Sequence, residues 1–230
     1  MRYYKFLSPS YLNVIALSNL QLIFGRFSRF NDIFEGHLSF RYQDEQTKPS
    51  FQNKEKEYVD KINRIRIYSL ASSDAVDYIE NSHLMWAHYA DGHKGFCIEF
   101  NEGILSDFPL CKTGKANTSI KVEYPEELKY EELTFNDKGQ LMENIDYVLT
   151  KVISRKHKLW EYEQEVRLIS KVKDIHPFSP TAINAIYLGA KIEESIKTEL
   201  FNFALKHSIK CFEMCKNNKD VYKLIKIEKS

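Results

Sequence analysis

Ten residues, Trp160-Glu161-Tyr162-Glu163-Gln164-Glu165-Val166-Arg167-Leu168-Ile169, concentrate the groups most able to do chemistry. Read as a strand, they alternate: Glu161, Glu163, Glu165 and Arg167 share one face, with Trp160, Tyr162, Val166 and Leu168 on the other. Same-face neighbours then stand about 6 to 7 Å apart, close enough for carboxylates to raise one another's pKa and for Arg167 to hold the nearest one ionised. An ionised carboxylate preorganised in this way stabilises positive charge developing in a transition state. The same alternation also fits a half-exposed antiparallel strand whose outer face is simply charged.

A second constellation is Leu84-Met85-Trp86-Ala87-His88-Tyr89-Ala90-Asp91. At helical spacing Met85, Trp86 and Tyr89 form a stripe, with His88 turned toward Leu84. A packed core helix accounts for Leu84 and Met85, whereas Trp86, His88 and Tyr89 keep polar handles that a stacking or hydrogen-bonding site could use. His83, His88 and His93 recur every five residues, so each is rotated by about 140° on a helix and they share no metal. The third constellation, Phe30-Asn31-Asp32-Ile33-Phe34-Glu35, follows Gly25; its short polar side chains suit turn or helix capping over packed phenylalanines. The chain lacks the glycine-rich phosphate loops and the G-x-S-x-G elbow, so P-loop hydrolase, Rossmann oxidoreductase and serine hydrolase have no motif to rest on.

The elements that must position these groups read as a mixture. Strands are expected at RYYKFL, LQLIF, RIYSLA, GFCIEF, SIKVEY, 161–170, INAIYLG, IKCFEM and DVYKLIKIE. Helices are expected after a Ser8-Pro9 cap, over 51–66, over SHLMWAHYA up to Asp91-Gly92, and through the apolar stripes 141–152 and 192–203. Without a regular βαβ cadence this is an α+β fold of mixed, largely antiparallel sheets with interspersed helices. No linker or repeat interrupts the 230 residues, which read as one domain, 1–230. The 33 Lys and Arg against 32 Asp and Glu give a net charge of +1, which excludes a wholly basic polyanion binder. No apolar run approaches a membrane span or an export signal, so a cytoplasmic protein with reduced thiols is expected, and its four cysteines are too scattered for structural zinc.

In their order, Tyr4-Lys5-Phe6, FNDIFE at 30–35, LMWAHYADGHKGFCIEF at 84–100 and WEYEQEVRLI at 160–169 resemble a bacterial family of unknown function, domain-of-unknown-function family 2971. Two positions depart from its usual pattern: Ile33 stands where members have proline, and Phe6 where they have tyrosine. A second resemblance is to the layout of ADP-ribosyltransferases: an aromatic and basic first strand, a helix, a short strand ending in a turn, and a glutamate opening a late strand.

That second resemblance implies an enzyme using NAD as substrate, an ADP-ribosyltransferase-like transferase or NAD glycohydrolase. It makes Glu165 the catalytic carboxylate, with Glu163 its nearest competitor and Arg167 an orienter or phosphate contact. Tyr4 and Lys5 would hold the dinucleotide, Trp86, His88 or Tyr89 would stack or hydrogen-bond, and Asn31 and Asp32 would close one side. A protein or nucleic-acid acceptor, a partner protein encoded nearby, and a setting in a bacterial toxin or phage-defence system are the implied context, with no metal and no membrane. Two other classes stay open. A nuclease would bind Mg²⁺ through Asp32, Glu35 and the 161–165 carboxylates. A noncatalytic ligand-sensing or interaction module would use the same blocks as a pocket or surface.

Overall fold

A computed structural model describes residues 1–30, 32, 35–36, 38–43, 48–108, 117–136, 138, 140–171, 173–217 and 224–228, with 48–52 described as backbone only. The strands are β1 (Arg2–Leu7), β2 (Gln21–Ile23), β3 (Gly25–Arg26), β4 (Leu38–Tyr42), β5 (Arg66–Ser73), β6 (Phe96–Phe100) and β7 (Asn117–Lys121). They continue with β8 (Glu131–Phe135), β9 (Glu165–Ser170), β10 (Ile175–Pro177), β11 (Ile183–Leu188), β12 (Lys210–Lys216) and β13 (Leu224–Glu228). The α-helices are α1 (Tyr11–Ser18), α2 (Lys48–Asn63), α3 (Tyr78–Asn81), α4 (His83–Tyr89), α5 (Ile145–Ile153) and α6 (Glu194–Lys206). The class is α+β, with mixed and largely antiparallel pairing.

Two compact units emerge, each discontinuous: Met1–Ile23, Leu70–Ser106 and Ile175–Ser230 form one, and Phe24–Ser69 with Asp107–Asp174 the other. No linker marks the division in the sequence because the chain passes between units several times, once within β5. In the first unit the strand order is β13-β12-β11-β6-β1-β5. All these pairs are antiparallel except β11 with β12, which α6 connects as a crossover. Phe96, Phe100, Leu188 and Met214 are fully buried in it.

Local signals explain most boundaries. The cap of α1 is Ser10, whose hydroxyl accepts from the Asn13 amide, and not Ser8-Pro9 as expected. Ser8 instead takes the Asn13 side chain through its carbonyl and hydroxyl, which fixes the approach and moves the start two residues on. Helix α4 does stop at Asp91-Gly92, both at positive φ (48° and 60°), the Gly92 amide donating to the Ala87 carbonyl.

In the second unit β5, β9 and β7 lie in that order with β3 also on β5, and β4 pairs β8 in parallel. Its core joins Phe27, Ile62, Ile65, Ile67 and Leu133 to the inner stripe of α5, Val148, Val152 and Ile153, and to Ile169 of β9. Asn144 caps α5 by accepting from the Tyr147 amide, and the apolar stripe then repeats at helical spacing. Among the described residues no helix is long and apolar enough to cross a membrane.

Candidate functional site

The block 160–169 does not form one alternating strand. Residues Lys158–Glu163 are a 3-10 helix, and Gln164 takes a left-handed backbone (φ 46°) before β9 begins at Glu165. The turn is stabilised locally: the Gln164 amide and side chain both donate to the Glu161 carbonyl. Alternation is therefore lost at 164, and Glu161 separates from its neighbours to pair with Lys158 near the surface. All six residues of β9 are buried. The exposed acidic face that the sequence pattern allowed is thus replaced by buried ions, with Glu163 and Glu165 each 4% exposed and Arg167 0%.

Arg167 lies at the centre. Its Nε and Nη2 donate to the two Glu165 oxygens at 2.9 Å each, and Nη1 donates to the Ile153 carbonyl at 2.8 Å. Nη2 also donates to Glu35, which arrives from 132 residues earlier in the chain. The guanidinium plane lies 5.0 Å from the Phe30 ring centroid, so every edge and one face are engaged. A second cation, Lys156, is 2.7 Å from Glu163 Oε2 and 3.4 Å from Glu35 Oε1. The Glu165 amide donates to the Tyr124 hydroxyl at 2.8 Å. Three carboxylates thus share two cations, each of the five side chains at most 5% exposed.

The charge states follow from these partners. Burial alone would raise Glu165, but Arg167, Lys156 and a hydrogen bond from Ser69 take it below the usual carboxylate value. Glu35 goes the other way: burial raises it, and the attraction of Arg167 and Lys156 only partly offsets this, with Glu165 adding repulsion. Arg167 is raised, because the two facing carboxylates outweigh its desolvation. Sequence spacing grouped Glu35 with the 161–165 carboxylates as magnesium ligands. The structure does gather Glu35, Glu163 and Glu165, but with an ammonium and a guanidinium between them. Among the described residues no three His, Cys, Asp or Glu side chains cluster as a metal set.

Beside this network lies a cleft of about 870 Å³, wholly within the second unit. That is toward the upper end of the roughly 300 to 1,000 Å³ typical of small-molecule sites. Tyr130, Trp160 and Tyr162 supply rings; Lys129, Lys151 and Arg155 supply cations; Asp32 and Glu131 are among its carboxylates. Arg155 and Lys151 both pair with Glu131, so the wall carries mixed and mutually compensated charge. The Tyr162 hydroxyl is pushed up to about 12 by burial and by Glu163. Asp32, 7% exposed, and Gly36 line the cleft within one turn, in which the Glu35 amide donates to the Asp32 carbonyl. Gly36 has φ +80°, and a Cβ there would overlap the Phe27 ring, so only glycine fits the close approach.

Of the residues singled out from sequence, Asp32 lines the cleft, while Glu163, Glu165 and Arg167 are in the buried network and do not line it. Asn31 and the departing Ile33 lie outside the described residues. Tyr4, Lys5, Trp86, His88 and Tyr89 belong to the first unit. There Trp86 is 0% exposed, donates its indole N–H to the Ile79 carbonyl at 3.0 Å and meets Phe6 edge-on, so both faces and its polar handle serve the core. Tyr4 is buried beside Tyr78, its hydroxyl raised by desolvation and by Glu99. Lys5 is half-buried in β1, His88 is exposed and Tyr89 half-buried. Sequence reasoning passed over Lys156, Arg155 and the wall at 126–131; the signal available was the basic run Arg155-Lys156-His157 just ahead of Trp160.

No curated protein and no solved structure matches the chain. Residues 85–168, which include most of α4, β6 and most of the cleft wall, match the family described as a protein of unknown function, DUF2971, the family its sequence blocks resemble.

Proposed function

We propose that the second unit binds NAD in its cleft and cleaves the ribose–nicotinamide bond, as an ADP-ribosyltransferase-like enzyme or NAD glycohydrolase. The observation that carries this reading is the make-up of the cleft: aromatic rings, compensated charge of both signs and a carboxylate, Asp32, in one concavity of about 870 Å³. NAD has matching parts, two flat rings, an anionic pyrophosphate and a cationic pyridinium, so a wall of single sign would suit it less well.

In the reaction, the bond from the ribose anomeric carbon to the pyridinium nitrogen breaks and nicotinamide leaves neutral with the bonding pair. Water or an acceptor hydroxyl then adds to the anomeric carbon and gives up its proton to solvent. Nothing is oxidised, and the demand on the protein is to stabilise an oxocarbenium-like charge. Asp32, a carboxylate on the cleft wall, would take that role. Glu165, given that role by the resemblance to ADP-ribosyltransferases, is held by Arg167 and would act by keeping the network ionised.

The test is nicotinamide release from NAD by purified protein, alone and with a protein or nucleic-acid acceptor, together with calorimetric NAD binding. Release that falls at least about 100-fold in Asp32→Asn, with binding retained, supports the enzyme. A second reading, a noncatalytic NAD-binding module, is favoured by the commitment of Glu163 and Glu165 to internal ion pairs. It predicts binding without release. Absence of both sinks either reading.

A further inference from the structure

One end of the first unit's sheet gathers cations without counter-ions. Strand register sets Phe96 of β6 beside Leu188 of β11, and Leu188 beside Glu213 of β12. Three positions beyond each of these, toward the same end of the sheet, stand His93, Lys191 and Lys216. The alignment persists past the strand ends, the Gly189 amide donating to the Gly95 carbonyl and the Lys191 amide to the His93 carbonyl, each at 2.9 Å. Alternation along β12 puts Lys216 on the face of Phe212, which stacks on Tyr187. Tyr187 pairs with Cys97 and Cys97 with Phe6, and Phe6 packs on Trp86, over which the His93 ring lies nearly parallel at 6.0 Å. Lys216 and the imidazole therefore belong to the one sheet face that carries α4.

The imidazole is oriented as well as placed. Its Nδ1 is buried without a hydrogen-bond partner, so the neutral ring keeps its lone pair there and carries its proton on Nε2, the nitrogen left at the surface. His93 also holds φ at +72°, a conformation that costs a residue with a Cβ and persists only where its surroundings fix it. Burial, and then Lys191, His83 and Lys216, keep its pKa below the ordinary value, so the charges acting on it are cationic. The carboxylates nearest in sequence are committed elsewhere, Asp91 to Lys94 and both Glu194 and Glu213 to Lys197. Lys191 and Lys216 are exposed, and among the described residues neither ammonium has an ion-pair partner.

We infer that this end of the sheet is a binding site for a phosphate monoester, held by the ammonium groups of Lys191 and Lys216 with His93 Nε2–H donating to one of its oxygens. Two ammonium groups match the two charges of a monoester dianion, and the fixed imidazole N–H adds a directed bond that lysines alone do not supply. A chain of net charge +1 with two lysines at this point has no basic track for a longer polyanion. The site belongs to the first unit and stands independently of the NAD reading of the cleft.

The experiment titrates glycerol phosphate into the full chain at low salt and a pH of about 8, where a monoester is dianionic, and follows both calorimetry and the NMR signals of nitrogen-labelled histidine. Expected are a proton on Nε2 of His93 and a saturable shift of that ring. Lys191→Gln/Lys216→Gln should lose about 10-fold or more in affinity, and the control Lys206→Gln/Lys210→Gln, which removes the same charge from exposed positions at the start of β12 and just before it, less than about 2-fold. Because neither lysine of the first pair is engaged in the fold, its thermal unfolding should match wild type. Equal losses in the two variants, or a His93 ring that does not respond, overturn the site, as does an absence of binding. An oligonucleotide that binds more tightly through the same lysines overturns the monoester assignment. NAD affinity should be unchanged in Lys191→Gln/Lys216→Gln; its loss there would overturn the independence of this site from the cleft, whereas failure of NAD to bind wild type removes the proposed function and leaves the phosphate site standing.

Discussion

Each unit buries a carboxylate in a sheet, and the two solve the problem differently. In the first unit Glu99 of β6 accepts from the Tyr187 hydroxyl at 2.6 Å and from the Asn184 side chain at 3.1 Å, both on the neighbouring β11. Its partners are neutral and adjacent, so the interaction ties two paired strands, and Asn184 in turn accepts from the nearby Asn101 side chain at 3.2 Å. In the second unit Glu165, Glu163 and Glu35 are held by Arg167 and Lys156, and the ties reach a turn, a 3-10 helix and β9. Neutral donors suffice where register already brings partners together. Full charges, with their longer reach and larger desolvation cost, are found where separate segments have to be held against a cleft.

Removing the centre of each arrangement tests that contrast. Arg167→Met should destabilise the protein by about 3 to 5 kcal/mol, because Glu35 and Glu165 are left charged and buried. Arg167→Lys should recover only part of this, since an ammonium cannot reproduce the two parallel bonds to Glu165. Urea unfolding reads both, and a cost for Arg167→Met below about 1 kcal/mol would mean that the ions behave like a surface pair. Tyr187→Phe should cost less, about 1 to 3 kcal/mol for an acceptor that loses one donor, and should leave NAD affinity unchanged. A loss of NAD affinity in this variant would erase the distinction between the regions.

The smallest expected effect is a pH slope confined to the ionic arrangement. Glu35 is raised above the ordinary 4.5, so its contribution is fully present below that value and is lost as pH rises through its higher folded pKa. Glu165 is lowered, so its contribution is present above 4.5 and is lost as pH falls through its folded pKa. Glu35→Gln removes the first and leaves the second. Wild type should therefore gain stability relative to Glu35→Gln as pH falls through the raised folded pKa toward 4.5, which urea midpoints at several pH values from neutral down to 4.5 would show. A constant difference across that range would place Glu35 among ordinary carboxylates.

Much of the scaffold was legible because its signals are local. RYYKFL, GFCIEF and INAIYLG carry runs of β-formers that become β1, β6 and β11, and the apolar stripes of α5 and α6 repeat at helical spacing. The helix expected over 51–66 runs Lys48–Asn63, with Ile62 in the core and Ile65 buried just beyond its end. The candidate site was legible in residue types and much less in geometry. Trp86 looks the same in sequence whether it stacks on a ligand or fills a core, and here three first-unit neighbours, Phe6, Ile79 and His93, claim it.

By itself, then, the amino-acid order determined most of the segments that become strands and helices, though not β4, β8 or β10, together with the α+β class and the concentration of charge around 156–167, since each depends on neighbours within a few residues. Tertiary structure decided what those charges do. A left-handed Gln164 broke the alternation, and the long reach to Glu35 turned an apparent acidic face into a buried set of ion pairs. Periodicity records which side a residue faces in an ideal element; it holds no information on a partner 132 positions away or on the water that folding removes from both.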